Sequence, residues 1–201
     1  MTCLPFLRRL QRGFFTLPGG LASRSPGETL PLDSGTPTPV NDDSSYPNVT
    51  ALLHFNGSNA STVLVDQIGN VWAANGNAQL TTATVKYGSA SLVLDGSGDY
   101  ANATISSLIG TGDFTVEAWI RISSLASDGE ILCISNADLD VNKFNLVFEY
   151  KTTGALRGSI QTGSSGTVNA DISTAGSLLA TGTWYHVAFV ADGSTARLYI
   201  D

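Results

Sequence analysis

Cysteine and charged residues are both scarce in this chain, and each shortage narrows the kind of protein it can be. The 201 residues include two cysteines, Cys3 and Cys133, which are too few for a framework of several disulfides. Only 13% of the residues are charged whereas 21 are glycine, a composition that disfavours long solvated helices. Because Cys133 lies within an apolar run, we expect its thiol to be free and buried. These shortages favour one all-β domain with many turns.

Long apolar segments and a secretion signal are also missing. No run approaches the roughly 20 apolar residues that a membrane helix needs, so the sequence predicts no membrane span. Arg8 and Arg9 interrupt the apolar stretch at the N-terminus before the core of a signal peptide can form. No signal peptide is therefore recognised.

Positive charge is short in the larger part of the chain. Residues 1–46 carry four basic and four acidic side chains, whereas residues 47–201 carry six basic and thirteen acidic ones. The net charge of −7 therefore belongs to the second part. An acidic domain repels the phosphate backbone of nucleic acid, so we expect no nucleic-acid partner and favour cations or neutral ligands.

The composition changes near residue 47. Residues 23–47 mix Pro, Ser, Thr and Asp and contain almost nothing to bury, which is typical of a linker or a disordered arm. We therefore divide the chain into an N-terminal arm, residues 1–47, and a folded domain, residues 48–201. In the second part, short apolar runs are separated by turn residues every ~8–12 positions, which is the spacing of a sandwich or barrel.

The clearest strand is Phe114–Ile122, because apolar side chains occupy every second position there. Such alternation predicts a strand with one buried face, and the same pattern returns near the end of the sequence. We therefore expect antiparallel sheets. The predicted strands are Ala51–Asn56, Ala78–Thr82, Ser89–Asp95, Tyr100–Ile105, Phe114–Ile122, Glu130–Ser135, Lys143–Tyr150, Leu156–Thr162, Thr167–Ile172, Trp184–Ala191 and Thr195–Asp201.

Five segments carry a further signal when they are read in order: Leu52–Gly57, Asp66–Asn70, Lys86–Tyr100, Gly112–Trp119 and Thr183–Ala188. Together they resemble the laminin-G-like jelly roll of the concanavalin A-like lectin/glucanase superfamily. The resemblance extends from about residue 51 to residue 201. It implies a two-sheet antiparallel jelly-roll sandwich, in which a concave face or the rim loops bind glycans or protein surfaces.

The chain departs from the family pattern at two places. Relatives continue past the strand Leu198–Asp201 with a further hairpin and a closing strand beside the first one, so the resemblance predicts a jelly roll that lacks its last strands. The edge of Ala51–Asn56 would then be open to strand donation by another subunit, and we keep a homo-oligomer open. The second departure is Asn56, which stands where the opening strand of relatives commonly carries Asp.

The acids of the superfamily's glucanases have no counterpart in this sequence. Those enzymes place two Glu and one Asp at alternate positions of one strand, whereas Glu117 alternates with Thr115 and Trp119. His54 and His186 lie in predicted strands without a nucleophile motif nearby. We therefore predict that the protein is not an enzyme.

Calcium is the cofactor that the resemblance suggests, since relatives often hold one where the first strand meets the following loop. Asn56, Asp66 and Asn70 would supply side-chain oxygens, which this cation prefers. The alternative for the Asp66–Asn70 segment is ordinary turn chemistry, and an amide in place of a charge at Asn56 would weaken a calcium site.

Tryptophans are the candidates for ligand contact. We predict a partly exposed ligand contact at Trp72, just after the loop. Trp119 lies opposite the apolar stripe of its strand, where it either packs under a loop or contacts a ligand. Trp184 begins a strand of the family pattern and is predicted to lie in the core.

These features favour a non-catalytic module that binds carbohydrate or a protein surface and is carried behind a flexible arm. The missing signal and disulfides, with strands rich in Gly, Ser, Thr and Asn, favour a virion appendage such as a phage tail fibre. The expected location is therefore a virion or the extracellular space. The alternative is the binding domain of a secreted bacterial surface protein, or of an extracellular glycan-active enzyme.

Overall fold

The computed structural model describes residues 9–11, 46–105, 112–135, 144–162 and 167–201. Strands dominate this part of the chain, and a short 3-10 turn, Tyr46–Asn48, precedes the second of them. No helix in it is long and apolar enough to cross a membrane. The strands are β1 (Arg9–Gln11), β2 (Val49–Leu52), β3 (Ala73–Asn75), β4 (Gln79–Thr81), β5 (Ser91–Val93), β6 (Tyr100–Asn102), β7 (Phe114–Arg121), β8 (Gly129–Ser135), β9 (Phe144–Tyr150), β10 (Leu156–Thr162), β11 (Thr167–Ser173), β12 (Trp184–Asp192) and β13 (Thr195–Ile200).

Two larger sheets form the body of the fold. One has five strands in the order β13-β12-β7-β1-β2, and the other has four in the order β11-β10-β9-β8. Two small sheets, β3-β6 and β4-β5, complete the described pairings, all of which are antiparallel. The expectation of an all-β, two-sheet antiparallel sandwich is confirmed.

The core lies between the two larger sheets, because every second side chain of their strands is apolar and points inward. The inward residues of β7 are at most 5% exposed. Phe189 of β12 contacts Phe114 of β7 edge-on, with ring centroids 5.7 Å apart, and reaches across to Phe148 of β9 at 5.9 Å. Gly158 on β10 lies under the same ring, where an added Cβ would come within 2.8 Å of it. The three rings, together with the lack of a side chain at Gly158, determine the distance between the two sheets.

Each predicted strand overlaps a strand of the structure, with shifts at the ends. β2 ends at Leu52 because the next residue, Leu53, forms only an isolated bridge with Asp66. Phe55 then takes a φ of 54°, which turns the chain away from the sheet. β1 and β3 were not predicted.

The division into arm and domain stays a prediction, because most of residues 1–47 lie outside the described part. Arg9–Gln11 falls within the predicted arm and nevertheless forms β1 of the five-stranded sheet.

The prediction of a free, buried thiol at Cys133 is wrong. Cys133 is half-buried and disulfide-bonded. Its neighbours Leu132 and Ile134 pair with the inward residues of β9, so the alternation of β8 turns Cys133 to the outer face. The other cysteine of the sequence, Cys3, lies outside the described residues.

A row of charges crosses the outer face of the four-stranded sheet. Arg157 on β10 donates from Nη1 to Glu149 Oε1 at 2.5 Å, and from Nε and Nη2 to the two oxygens of Asp171 at 2.8 Å. Hydrogen bonds from Arg157 lower the pKa of Asp171, and hydrogen bonds to both acids raise the pKa of Arg157. Glu149 is only 8% exposed, and two cations compensate its carboxylate: Arg157 and Lys151, whose Nζ lies 3.5 Å from Oε1.

We predict that Asp171→Asn destabilises the protein at neutral pH and that the effect fades in acid. The lowered pKa of Asp171 means that its contribution is present above the usual carboxylate value of 3.8 and is lost as pH falls through the folded pKa. The Asp171 side chain is 46% exposed, so the loss at neutral pH should stay below about 1 kcal/mol. Urea unfolding of both proteins at a series of pH values measures the difference.

The matched control is Asp192→Asn, since the nearest cation to that carboxylate, Arg197, lies 3.6 Å away. Asp192→Asn should lower the free energy of unfolding less than Asp171→Asn does at neutral pH. If the difference in unfolding free energy between the wild type and Asp171→Asn stayed constant from neutral to acidic pH, the role given to the Asp171 carboxylate would be contradicted.

Candidate ligand-binding groove

A cavity of about 460 Å³ opens at one end of the sandwich. Its walls come from segments that meet at this end, and we call it the end groove. The lining residues are Thr81, Thr84, Ser91–Gly96, Ile120–Ser124, Ser127–Ile131, Tyr150 and Trp184. The ends of β7 and β9 and the starts of β8 and β12 lie together there because these strands run antiparallel. The volume falls within the roughly 300–1,000 Å³ of small-molecule sites.

Three carboxylates line the groove, those of Asp95, Asp128 and Glu130, and side-chain or backbone donors hold the first two. Asp128 accepts from the backbone N–H of Thr152 at 2.7 Å and forms an ion pair with Lys151. Asp95 accepts from Asn77 Nδ2 at 2.6 Å and from the N–H of Ser97 at 2.8 Å.

Those hydrogen bonds decide the charge of the two groups. The bond from Lys151 lowers the pKa of Asp128, and the bond from Asn77 lowers the pKa of Asp95. Both groups are therefore ionised at neutral pH and accept hydrogen bonds. Glycoside hydrolysis needs a carboxylic acid with a raised pKa as proton donor, and the pKa values of Asp95 and Asp128 are shifted in the opposite direction.

Aromatic side chains supply the apolar side of the groove. Tyr150 covers Gly129, where any Cβ would collide with its ring. Burial raises the pKa of Tyr150, so its phenol stays protonated and can donate a hydrogen bond. Trp184 lies opposite Arg121 in the β12–β7 register, and Arg121 Nε donates to the carbonyl of Gly182 at 2.9 Å.

A second, smaller cavity adjoins the end groove, since Ser91 and Trp184 line both. Its wall includes Trp119, which lies on the outer face of the five-stranded sheet and is surrounded there by Lys86, Tyr87 and His186. Tyr87 meets the indole edge-on at 5.5 Å, the amine of Lys86 lies 4.3 Å from its centroid, and His186 lies 5.4 Å away. The indole is half-buried, because Lys86 and Tyr87 cover it.

Asn56 anchors the loop that carries Lys86 and Tyr87. Its Oδ1 accepts from the N–H of Ser89 at 2.9 Å. Gly88 has a φ of 76°, and a Cβ there would collide with the same oxygen. Asn56 therefore acts in the structure as an acceptor for this loop.

Asp66 occupies the centre of a hydrogen-bonded loop next to β2. It is 7% exposed and accepts four hydrogen bonds. Oδ1 receives the N–H groups of Leu52 at 3.1 Å and Ile68 at 2.8 Å, while Oδ2 receives Asn70 Nδ2 at 2.7 Å and Trp72 Nε1 at 2.9 Å. Donors therefore surround both oxygens.

The predicted calcium ligands do not fit a calcium ion in this arrangement. Asp66 and Asn70 are brought together, but Asn70 presents its amide nitrogen, and Asn56 bonds to Ser89 instead. Calcium needs about six to eight oxygen ligands. No group of three or more His, Cys, Asp or Glu side chains suited to a metal occurs in the described part of the chain.

The three tryptophans differ in their surroundings. Trp72 is half-buried, packs against the core and donates to Asp66, so its polar atom is occupied within the fold. Trp184 does not lie in the core, and that prediction is wrong. Tyr185 and Val187 take the inward positions of β12, which places Trp184 on the outer face. The period-2 pattern of this strand carries the signal that would have identified it.

Comparison with known families supports the sequence resemblance. The family model described as concanavalin A-like lectin/glucanases superfamily, a laminin G model, matches residues 95–201. This is more than half of the chain and covers β6 to β13. Comparisons with curated proteins and with solved structures give no match.

We predict that Asp66→Asn destabilises the fold by about 1–3 kcal/mol, because an amide nitrogen would replace one acceptor and leave buried donors unpaired. Urea unfolding measures the loss. Asp113→Asn is the matched control, since Asp113 Oδ1 accepts one N–H, from Gly193 at 2.7 Å. Equal losses in the two variants would contradict the role given to Asp66.

We also predict that calcium leaves the thermal unfolding midpoint of the wild type unchanged, because N–H donors occupy the oxygens of Asp66. A melting series with added CaCl₂ and a chelator blank tests this. A rise in the midpoint that Asp66→Asn abolishes would establish a calcium site and contradict the prediction.

Proposed function

Because the chain belongs to the concanavalin A-like lectin/glucanase superfamily, we propose that it is a non-catalytic module that binds a neutral glycan in the end groove. Domains of the laminin G type are binding modules in general. The observation that carries the proposal is the groove itself, which combines aromatic walls with ionised acceptors in about 460 Å³.

The chemistry of the groove complements that of a sugar. A pyranose ring has apolar C–H faces and a rim of hydroxyl donors. Trp184 and Tyr150 offer apolar surface, while Asp95 and Asp128 accept hydrogen bonds. Hydrogen bonds to ionised acceptors are stronger than those between neutral groups. These acids and the net charge of −7 disfavour anionic sugars, so the proposed ligand is neutral.

The ligand is longer than a single ring in this proposal. Ser91 and Trp184 border both the end groove and the smaller cavity beside Trp119. An oligosaccharide with one unit in the groove would place the next unit near Tyr87, which is 52% exposed. Trp119 then contributes mainly by holding Lys86 and Tyr87 in place.

The lowered pKa values of Asp95 and Asp128 favour a role in binding for these two acids. A retaining or inverting glycosidase keeps one acid protonated near neutral pH. The hydrogen bonds to Asp95 and Asp128 lower the pKa of each group, which favours the charged form. In our proposal they act as hydroxyl acceptors.

We predict that Trp184→Ala weakens glycan binding by about tenfold or more, since truncation of an aromatic anchor typically costs over 1 kcal/mol. A glycan array with the wild type identifies the ligand, and calorimetry compares the variants. Tyr199→Ala is the control, because Tyr199 is 51% exposed on β13 and lines neither cavity. Its affinity should match the wild type.

Two results would overturn the proposal. One is an array on which the wild type binds no glycan. The other is a glycan that binds Trp184→Ala as tightly as Tyr199→Ala, with both variants keeping the thermal midpoint of the wild type.

A protein surface is the second candidate ligand, favoured by a group of exposed aliphatic residues. Val63, Val65, Ile68 and Val71 are 67%, 55%, 38% and 86% exposed. They lie on residues 63–71, which we call the valine loop and which Asp66 holds by its hydrogen bonds. Exposed apolar surface of this kind is typical of interaction sites.

Treatment of target cells separates the two candidates. Periodate destroys glycans and protease destroys proteins on a cell surface. Glycan binding predicts adhesion that periodate removes and Trp184→Ala weakens. Protein binding predicts adhesion that protease removes and that a double variant, Val63→Ser with Val71→Ser, weakens.

The setting that we propose is a virion appendage such as a phage tail fibre. It is supported by composition alone, through strands rich in Gly, Ser, Thr and Asn. Immunogold labelling of purified particles with an antibody against residues 46–201 would test it, and label confined to cell surfaces would favour a bacterial surface protein instead.

A further inference from the structure

The ring of His186 lies on the outer face of the five-stranded sheet between two acids and an indole. Its Nε2 lies 3.6 Å from Glu117 Oε2 on β7, and its Nδ1 lies 3.5 Å from Oδ1 of Asp201, which follows β13. The ring centroid lies 5.4 Å from that of Trp119, the residue opposite His186 in the β12–β7 register. A carboxylate beside each ring nitrogen favours the charged imidazolium, and the side chain is 30% exposed, so protons from solvent reach it.

Lys86 approaches the same indole from the loop between β4 and β5. Its Nζ lies 4.3 Å from the Trp119 centroid and 5.5 Å from that of Tyr87. Tyr87 itself meets the indole edge-on. A cation–π contact is weak at an exposed site. A change of charge nearby can therefore release the ammonium from the ring.

The imidazole and the ammonium are close enough for each to respond to the charge of the other. Both lie against the indole of Trp119 and are thus within about 10 Å of each other, which is the screening length at 0.1 M salt. While His186 is neutral, the carboxylates of Glu117 and Asp201 attract the Lys86 ammonium. A proton on His186 offsets one of these negative charges and places a second cation on the same indole. Protonation of His186 therefore weakens the contact between Lys86 and Trp119.

Histidine is the group of this site that changes its charge near neutral pH. The other charged or titratable residues on the neighbouring elements are Glu117 and Arg121 on β7, Arg197 and Tyr199 on β13, Asp201 after it, Lys86 and Tyr87 in the loop, and Arg9 at the β1 register position opposite Glu117. Between pH 5 and 8, histidine is the side chain whose unperturbed form changes charge. His54, the other histidine of the sequence, lines the smaller cavity and provides the matched control.

We propose that His186 is a pH-sensitive switch of the glycan site, in which a proton on its ring releases Lys86 from Trp119 and weakens the binding of the next sugar unit beside Tyr87. The effect on sugar binding rests on the proposed function, whereas the release of Lys86 does not. Lys86 and Tyr87 are adjacent in one loop, so the loss of one contact loosens the position of the other. No histidine lines the end groove among the described residues, so a single sugar unit bound there should not respond.

Proton NMR measures the release of Lys86 without any sugar. The side-chain protons of Lys86 lie over the Trp119 ring and therefore carry a ring-current shift. In the wild type this shift should shrink by about half or more as the pH falls from 8 to 5, in step with the titration of the His186 ring protons. His186→Gln is neutral at every pH and should keep the shift constant, whereas His54→Gln should behave as the wild type does.

Calorimetry measures the consequence for binding. The probe is the neutral oligosaccharide that the wild type binds most tightly on the glycan array, and the monosaccharide of the same unit is the control. Asp95 and Asp128 stay ionised over this pH range because their pKa values are lowered. The oligosaccharide should bind the wild type and His54→Gln about fivefold more weakly at pH 5 than at pH 8, and His186→Gln equally at both. The monosaccharide should show no such difference.

Two results would overturn the switch. One is a Lys86 shift that stays constant while His186 titrates, and the other is the same pH dependence of oligosaccharide affinity in the wild type and in His186→Gln. If His186→Gln fails to fold, Lys86→Met replaces it, since it removes the responding charge at an exposed position and should bind equally at both pH values. An array without any bound glycan would overturn the proposed function, and the NMR shift would still decide whether His186 releases Lys86.

Discussion

The contact of Phe189 with Phe114 and Phe148 is the interaction on which the rest of the structure depends. It joins the middle of the five-stranded sheet to the four-stranded sheet, and the bare backbone of Gly158 lets them approach. Because β7, β8, β9 and β12 keep their alignment through this core, their ends meet and form the end groove. The proposed site is thus positioned by packed strands, and its loops add polar groups.

Buried carboxylates organise the loops at the edges of this core. Asp66 accepts hydrogen bonds from four N–H groups beside β2. Asp99, which is 1% exposed, accepts from the N–H groups of Asn77 and Asp95 at 2.8 and 2.7 Å. A buried charge that is fully hydrogen-bonded fixes a loop in one arrangement, whereas an unpaired one would be costly. The same residue types that suggest a metal site in a sequence serve here as acceptors for the backbone.

Alternation of side chains predicted the strands well because it is a local property. The alternation predicted β7 and β12. It also indicates that Trp184 faces outward, although the family pattern had assigned this residue to the core. The strand β1 was missed because its partners are more than 30 residues away in the sequence. The role of Asp66 was missed for a similar reason, since Leu52 and Trp72 approach it only after the chain has folded. Patterns in a sequence report which face is buried, and they do not report which distant group arrives there.

The strand order has a kinetic consequence. In the five-stranded sheet, β7 lies between β1, from the start of the chain, and β12, whose Trp184 to Ala191 are synthesised about seventy positions later. Topologies dominated by such distant pairs fold slowly, on the order of milliseconds to seconds. On a ribosome, the apolar face of β7 would therefore emerge well before its partner. We expect the nascent chain to need protection by a chaperone during that interval, which makes the rate of synthesis as relevant to yield as the final stability.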